Sequence, residues 1–594
     1  MHSKKLATSS ITAVIVIVAL FLTGCQSGVE VVEIEKEVKI EVEKVVVVEV
    51  QKEGKISDEP EYSYKLEEAG DIGEVEVSGD SAAADADAAA AEGEVTLVVA
   101  VADDIQTIDT CCTNFIRGNQ AEYHIYEMAV NHPTVETASG ALVGDTDFTK
   151  LEGMYYESWE RVGDGTDILV KVRDGITFAD GGQMDAEDAV YVLNRAYGTT
   201  AGMHWLVDSI MSMDEEAEVV SEMEFIIHTS RPNPLTIPAL YMSGSAGLDS
   251  EVVKSHATDD DPWAQEWMPK NVAGGSGPFI LESRKPDEEV IFRARPDYWQ
   301  GKSQIDKLVW KVVPEPATRL ALLLKGDVDV VEGLTTDELL ALEGAPGVKV
   351  VTVPSKNMVS IIMNSNVGPT TDVRVRQAIS YAVDYEDIVA NVYNNGAQRL
   401  WGPLPTGSAY SLPGLWKYDR DLDKAKALLA EAGYADGLDI TLSMSSARAE
   451  HELIAVRVQN HLKEVGINVE IEKLQSSVFA EKKTANEIEV FIDEMLAWID
   501  DPNYVLSLVL QCGVFGNYGA YCNERVDEII EDGWTELDLE KRHAMFAEAQ
   551  ALIVDEAPWV FLTQPDFHLA MRDNVHGYIH YLNEIVRYYS FYKS

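Results

Sequence analysis

Positive charge is scarce in this 594-residue chain: 47 Lys and Arg stand against 101 Asp and Glu, a net charge of −54. Such acidity repels phosphate backbones and anionic lipid, which argues against nucleic acid and acidic membrane surfaces as partners. It also repels itself unless salt screens it, as a saline habitat would; a general acidity of exported proteins accounts for it equally. Cysteine is scarce, with five in the chain, and no Cys-x-x-Cys pair suggests zinc. No phosphate-cradling glycine loop occurs. Long apolar runs are missing too: residues 11–22 fall short of the ~20 that a membrane-spanning helix needs.

That short run has another meaning. Lys4 and Lys5 precede it and Leu22-Thr23-Gly24-Cys25 follow it. A basic start, an apolar core and small residues before a cysteine make a secretory signal of the lipoprotein kind, residues 1–24, with Cys25 as the lipidation site. The mature protein is then expected outside the cytoplasm, held on the cell membrane by its lipid alone. There a disulfide is the default, and Cys512 and Cys522 flank a loop flexible enough to close (Gly513, Gly516, Asn517, Gly519). The vicinal Cys111 and Cys112 allow a strained ring, two free thiols or partners elsewhere.

Residues 25–93 alternate Val with Glu or Lys and end in SAAADADAAAAEGE. The alternation permits a strand that pairs with a copy of itself. Lacking any core, the segment is read as a charged tether, a coil spanning about 45–50 Å. A folded body starts near Val95 with the strand-like VTLVVAV, and a helix is expected at about 120–128. Strands are expected at 225–230 and 307–313, and a helix at 316–324 stopped by Gly326 before a buried strand at 328–331. The cleanest alternation follows: helix 422–432, Gly433, strand 438–444, a helix with Ile454, Val458, Leu462 and Val465 on one stripe, Gly466, strand 467–474. Helix–strand repeats with glycine stops predict α/β units on mostly parallel sheets.

Residues 158–195, SWERVGDGTDILVKVRDGITFADGGQMDAEDAVYVLNR, carry the most information. Their chemistry predicts a turn at 163–165, a strand at 168–172, a second turn at 173–175, a short strand at 176–178 and a loop at 180–182. A helix follows, capped by Asp185, with Glu187 and Asp188 at its positive end. The string closely resembles the signature of the extracytoplasmic solute-binding proteins of peptide/nickel-type ABC importers, family 5. Further segments resemble that family in the same order: GSGPFIL (275–281), RARPDYWQGK (293–302, Arg295 replacing the usual asparagine), RLALLLKGDVDVV (319–331), DVRVRQAISYAVDYEDIV (372–389) and WIDDPNY (498–504).

The resemblance implies a two-lobed, type II periplasmic-binding-protein-like α/β fold with a subdomain inserted in lobe one. It lays out lobe I at 94–128, the insert at 129–211, lobe I again at 212–348, lobe II at 349–561 and a return to lobe I at 562–594. It implies capture of a small solute, a peptide or peptide-like molecule, by hinge closure, and delivery to ABC permease and ATPase subunits. The binding protein would be a monomer without enzymatic activity, cofactor or metal. In peptide binders of the family an aspartate of the Trp…Asp-Pro segment meets the ligand's ammonium, which makes Asp500 and Asp501 candidates and Trp498 an aromatic wall. The Trp-to-Pro spacing is shorter than the family's, and the bland alternative is that the aspartates cap the turn before Pro502. Ser360 stands where dipeptide binders often carry tyrosine, which leaves more room. Trp401 is a further candidate wall, although a tryptophan is more often core.

Within the same fold, oligosaccharide, nickel-chelate or opine cargo remains open. An exported hydrolase or a sensory lipoprotein are the readings from other classes. Enzymatic constellations fail on inspection. His451-Glu452 lacks the second histidine of a zinc-protease motif, having Ala455 in its place. Residues 274–278 end in Pro where a nucleophile elbow needs Gly. His576 and His580 are four apart in an aromatic, strand-like stretch that favours packing over metal.

Overall fold

The computed structural model describes residues 7–9, 40–42, 93–111, 116–199, 204–242 and 244–594. The signal's core, most of the tether, Cys25 and Cys112 lie outside them. The chain divides into two units, residues 1–68 and 69–594. In the first, Ala7–Ser9 pairs antiparallel with Ile40–Val42. All that follows concerns the second unit, where among the described residues no helix is long and apolar enough to cross a membrane.

Local chemistry shapes the signature segment as expected. Asp185 caps the helix Ala186–Gly198 by accepting from the N–H groups of Glu187 and Asp188, and Asp188 reaches back to the N–H of Asp185. Asp188 also accepts from the Ser250 N–H at 2.8 Å, which joins the helix start to the next segment. The strand expected at 176–178 shrinks to one bridge, Thr177 to Gln183, because turns on either side leave no length for a ladder. The helix expected at 120–128 runs Ile116–Ile125 instead. Beyond it, the N–H of Glu127 bonds Ser276 Oγ, so the chain leaves the helix to meet the 274–278 turn. Gly277 fits there for want of a Cβ, which would lie 2.6 Å from the Ile125 carbonyl carbon.

A mixed sheet of 12 strands organises the body. One half runs Phe279–Lys285, Glu289–Ala294, Lys307–Val312, Thr96–Val101, Val330–Val331. The other runs Asn357–Met363, Val490–Leu496, Leu438–Ser445, Ile467–Leu474, with the long strand Trp559–Arg572 between the halves. The expectation of mostly parallel pairing is corrected. Thr96–Val101 and Leu438–Ser445 pair parallel with both neighbours, but hairpins and the long strand make most other pairings antiparallel. A separate four-stranded sheet is built from Glu218–Ser221, Glu224–His228, Asp167–Val172 and Tyr156–Val162.

The long strand holds both halves. Its C-terminal part pairs with Val348–Pro354, from Pro354 against Asp566 to Val348 against Arg572. Its N-terminal part pairs with Asn357–Met363 and carries a bulge where Val359 faces Thr563 and Ser360 faces Phe561. Between these ladders Gln564 donates to the Ser355 carbonyl at 2.6 Å and accepts from the Thr406 N–H. Four of the scarce cations are drawn inside: Arg195, Arg295, Arg319 and Arg542 are among the largest fully buried side chains. Arg295 binds the carbonyls of Thr177 and Gly275 and so ties three family-like segments together. Buried arginines leave the acidic surplus to the surface.

Glu584 faces the Ser355 crossing from the C-terminal segment, with its backbone at φ 58 and one carboxylate oxygen buried without a partner. Burial, with Glu494 adding repulsion, pushes its pKa from 4.5 up to about 7. The unfolded chain releases this proton first, so the wild type loses stability as pH rises through that window. Glu584→Gln, which cannot ionise, should therefore gain in melting temperature relative to wild type between about pH 4.5 and pH 7.5. A difference that stays constant across those pH values contradicts the assignment.

Candidate functional site

A cavity of about 990 Å³ lies between residues 205–231 and the second half of the body. On the first side the chain winds a wide turn at Leu206–Ile210, closed by the Met211 N–H on the Leu206 carbonyl, with Trp205 and Asp208 on the cavity. Ser212 follows at φ 60, and its hydroxyl accepts from Arg231 Nε and Asn233 Nδ2. Arg231 in turn reaches across: Nη1 lies 3.1 Å from Glu531, and the guanidinium sits 5.0 Å over the Trp534 ring. The opposite side is formed by the end of strand Val490–Leu496, Trp498, helix Pro502–Val509 and the loop closed by the Cys512–Cys522 disulfide. Trp498, Tyr504, Leu508, Phe515, Tyr518 and Trp534 make this wall largely aromatic. Phe515 is 70 % exposed, an unusual state for so large an apolar group. One buried apolar cluster runs from Val170 and Phe225 of the small sheet to Phe491, Tyr504 and Leu506, so the two sides pack against each other.

Of the residues singled out in the sequence, Trp498 lines this cavity, and Ser360, Asp500, Asp501 and Trp401 are not in its lining. Asp501 caps helix Pro502–Val509 through the Asn503 N–H and pairs with Arg542 at 2.6 Å, both side chains fully buried. Asn503 Oδ1 accepts from the same guanidinium at 2.7 Å. Burial opposes the charge on Arg542, but Asp501 outweighs it and holds the pKa above the ordinary value. Asp500 is buried 3.4 Å from Lys356 Nζ, on the short crossing after Pro354. Ser360 is buried with its hydroxyl unpartnered, on the strand between Val490–Leu496 and the long strand. Trp401 is half-buried and stacks on Arg399, 4.5 Å from its ring centre. Cys111 is buried 2.7 Å from Arg195 Nη1.

Sequence reasoning missed most of the lining. Trp205, Arg231 and Trp534 converge from distant segments, and no local pattern marks them. Phe515 and Tyr518 carried a usable signal: two aromatic rings inside a glycine-rich loop that a disulfide closes.

Removing the Asp501 carboxylate leaves Arg542 charged, buried and short of its partner. Asp501→Ala is expected to cost about 3–5 kcal/mol in urea unfolding, and Asp501→Asn less. An alanine variant as stable as wild type contradicts this structural role.

The profile of the bacterial extracellular solute-binding proteins, family 5 Middle, matches residues 150–517. The chain is similar to the probable D,D-dipeptide-binding periplasmic protein DdpA of Escherichia coli K12, 27% identical over 487 residues that cover 81% of this chain and 91% of the relative. Its fold is similar to that of the ABC transporter-associated periplasmic binding protein DppA of Helicobacter pylori in complex with peptide STSA. The TM-score there is 0.71 at 23% identity, covering 84% of this chain and 98% of the other. NikA of Staphylococcus aureus in complex with Ni(L-His)2 is similar at TM-score 0.67 and 18% identity, covering 84% and 100%. Two-lobed architecture and these likenesses agree: the chain belongs to the bacterial extracellular solute-binding proteins, family 5, and is a binding protein, not an enzyme.

Proposed function

We propose that this protein captures a peptide or peptide-like solute in the 990 Å³ cavity and delivers it to an ABC permease and its ATPase from a lipid anchor at Cys25. The observation that carries the reading is the cavity itself. It is large, faced by aromatic side chains on one wall and by Trp205 and a few polar groups on the other. Apolar rings take side chains of varied shape, and sparse polar groups orient the backbone. In this reading the lobes follow the layout of the sequence, with lobe II at 349–561 and the insert at 129–211, and the chain acts as a monomer. They rotate about the crossings near 354–357 and 563–566. Trp498 is a ligand wall. Ser360, Asp500 and Trp401 are positions to test by substitution, and Asp501 serves the fold. Resemblance to peptide binders such as DdpA supports peptide cargo.

Three tryptophans on the cavity, Trp205, Trp498 and Trp534, favour a second reading, an oligosaccharide stacked on their faces. Native mass spectrometry of gently purified protein separates the two, because an enclosed solute travels with its carrier. A retained peptide is the expected result, and a retained sugar or metal chelate without peptide contradicts the first reading. Trp498→Ala should weaken binding of the recovered solute about thirtyfold, as loss of an aromatic anchor worth about 2 kcal/mol does, with the fold intact by circular dichroism. Unchanged affinity in isothermal titration moves the ligand elsewhere.

A further inference from the structure

A second cavity, about 260 Å³, lies in the first half of the body and shares no lining residue with the large one. It is enclosed by the end of helix Ile116–Ile125 and the residues after it, the 298–300 turn and the C-terminal segment 579–590. Arg587 is the one lining residue charged positive at neutral pH. Its guanidinium lies between the rings of Tyr123 and Tyr581, 4.0 and 3.9 Å from their centres, with Tyr241 at 5.1 Å. Nη1 donates to Asn131 Oδ1 at 2.9 Å, whereas Nε and Nη2 are buried and make no hydrogen bond. Among the described residues no carboxylate lies within ion-pair distance of it, and Glu127 acts on it only from farther away. His132, 5% exposed, also turns an unpartnered Nδ1 onto this space.

Buried polar groups in native proteins are paired, and a buried charge is paired more strictly still. Tyrosine faces stabilise the cation without using its in-plane N–H groups. Two adjacent donors in one plane match the two oxygens of a carboxylate. We propose that this cavity is a second binding site, for a small organic monocarboxylate held edge-on by Nε and Nη2 of Arg587 with its apolar part among the tyrosines. Glu127 stands in the same lining, its carboxylate held by Tyr298 Oη and Trp299 Nε1. Burial raises its pKa, and Glu152 also lines the cavity; together these carboxylates oppose a second negative charge, so a dianion such as phosphate is disfavoured. His132 adds no compensating charge, because burial holds its pKa near 4.

The test is isothermal titration with propionate, benzoate and inorganic phosphate on the whole protein and on Trp498→Ala, whose large cavity is impaired. One carboxylate is expected to bind with one-to-one stoichiometry in both, and phosphate at least tenfold more weakly. Arg587→Gln should weaken the carboxylate at least tenfold. Should that variant fail to fold, Thr134→Phe decides: it places a ring at an exposed lining position and should abolish binding at an unchanged melting temperature. Neither carboxylate binding at about 10 mM, equal binding of phosphate, loss of binding in Trp498→Ala, or full binding in Arg587→Gln or in Thr134→Phe overturns the proposal. Because Trp498 and Arg587 line separate cavities, failure of this site and failure of the solute site give different results.

Discussion

A single strand belongs to both halves of the body, and the rest of the architecture is arranged around it. Residues Trp559–Arg572 pair with Val348–Pro354 at one end and with Asn357–Met363 at the other. Within each ladder the backbone hydrogen bonds fix φ and ψ. Any rotation of one half on the other must therefore be absorbed where the ladders change over, at Ser355–Lys356 and around Gln564, where the strand pairs instead with Ala397–Arg399. Two chain crossings side by side let rigid halves turn without unfolding either. The bulge near Leu562 and the unpartnered carboxylate oxygen of Glu584 both lie by this crossing.

Across the large cavity the sides already touch through Arg231, Glu531 and Trp534. Glu531 is more than half exposed, and a surface ion pair of this kind contributes about 0–1 kcal/mol. It can set the register of the two sides, while their packing rests on the buried apolar cluster they share. In the proposed closure, a solute touching both sides shifts the population only by its differential contacts with the closed form. Buried pairs behave differently. Asp501 with Arg542 and Asp109 with Arg195 are buried pairs, each within one half of the body.

Legibility in the sequence tracked how local each cause was. The strand Ile467–Leu474 and the helices ended by Gly326 and Gly433 follow from alternation and from left-handed glycine stops, which neighbours within one turn decide. Strand direction did not follow, because the antiparallel pairing of residues 559–572 joins segments two hundred positions apart. The site fared likewise. Trp498 stood inside a recognisable segment, whereas Arg231 and Trp534 meet 5.0 Å apart although some three hundred positions separate them. Asp501 shows the remaining difficulty: before a proline, a carboxylate that caps a helix and binds a buried arginine reads the same as one that meets a ligand.

The central claim is that two rigid halves close on a solute. The most direct measurement is the distance distribution between spin labels at Ser221, on the edge of the small sheet, and Glu481, on the far side of the cavity, with the endogenous solute removed and then restored. A broad or longer distribution that narrows and shortens when the solute returns is the predicted result. A single distance, the same with and without solute, contradicts it.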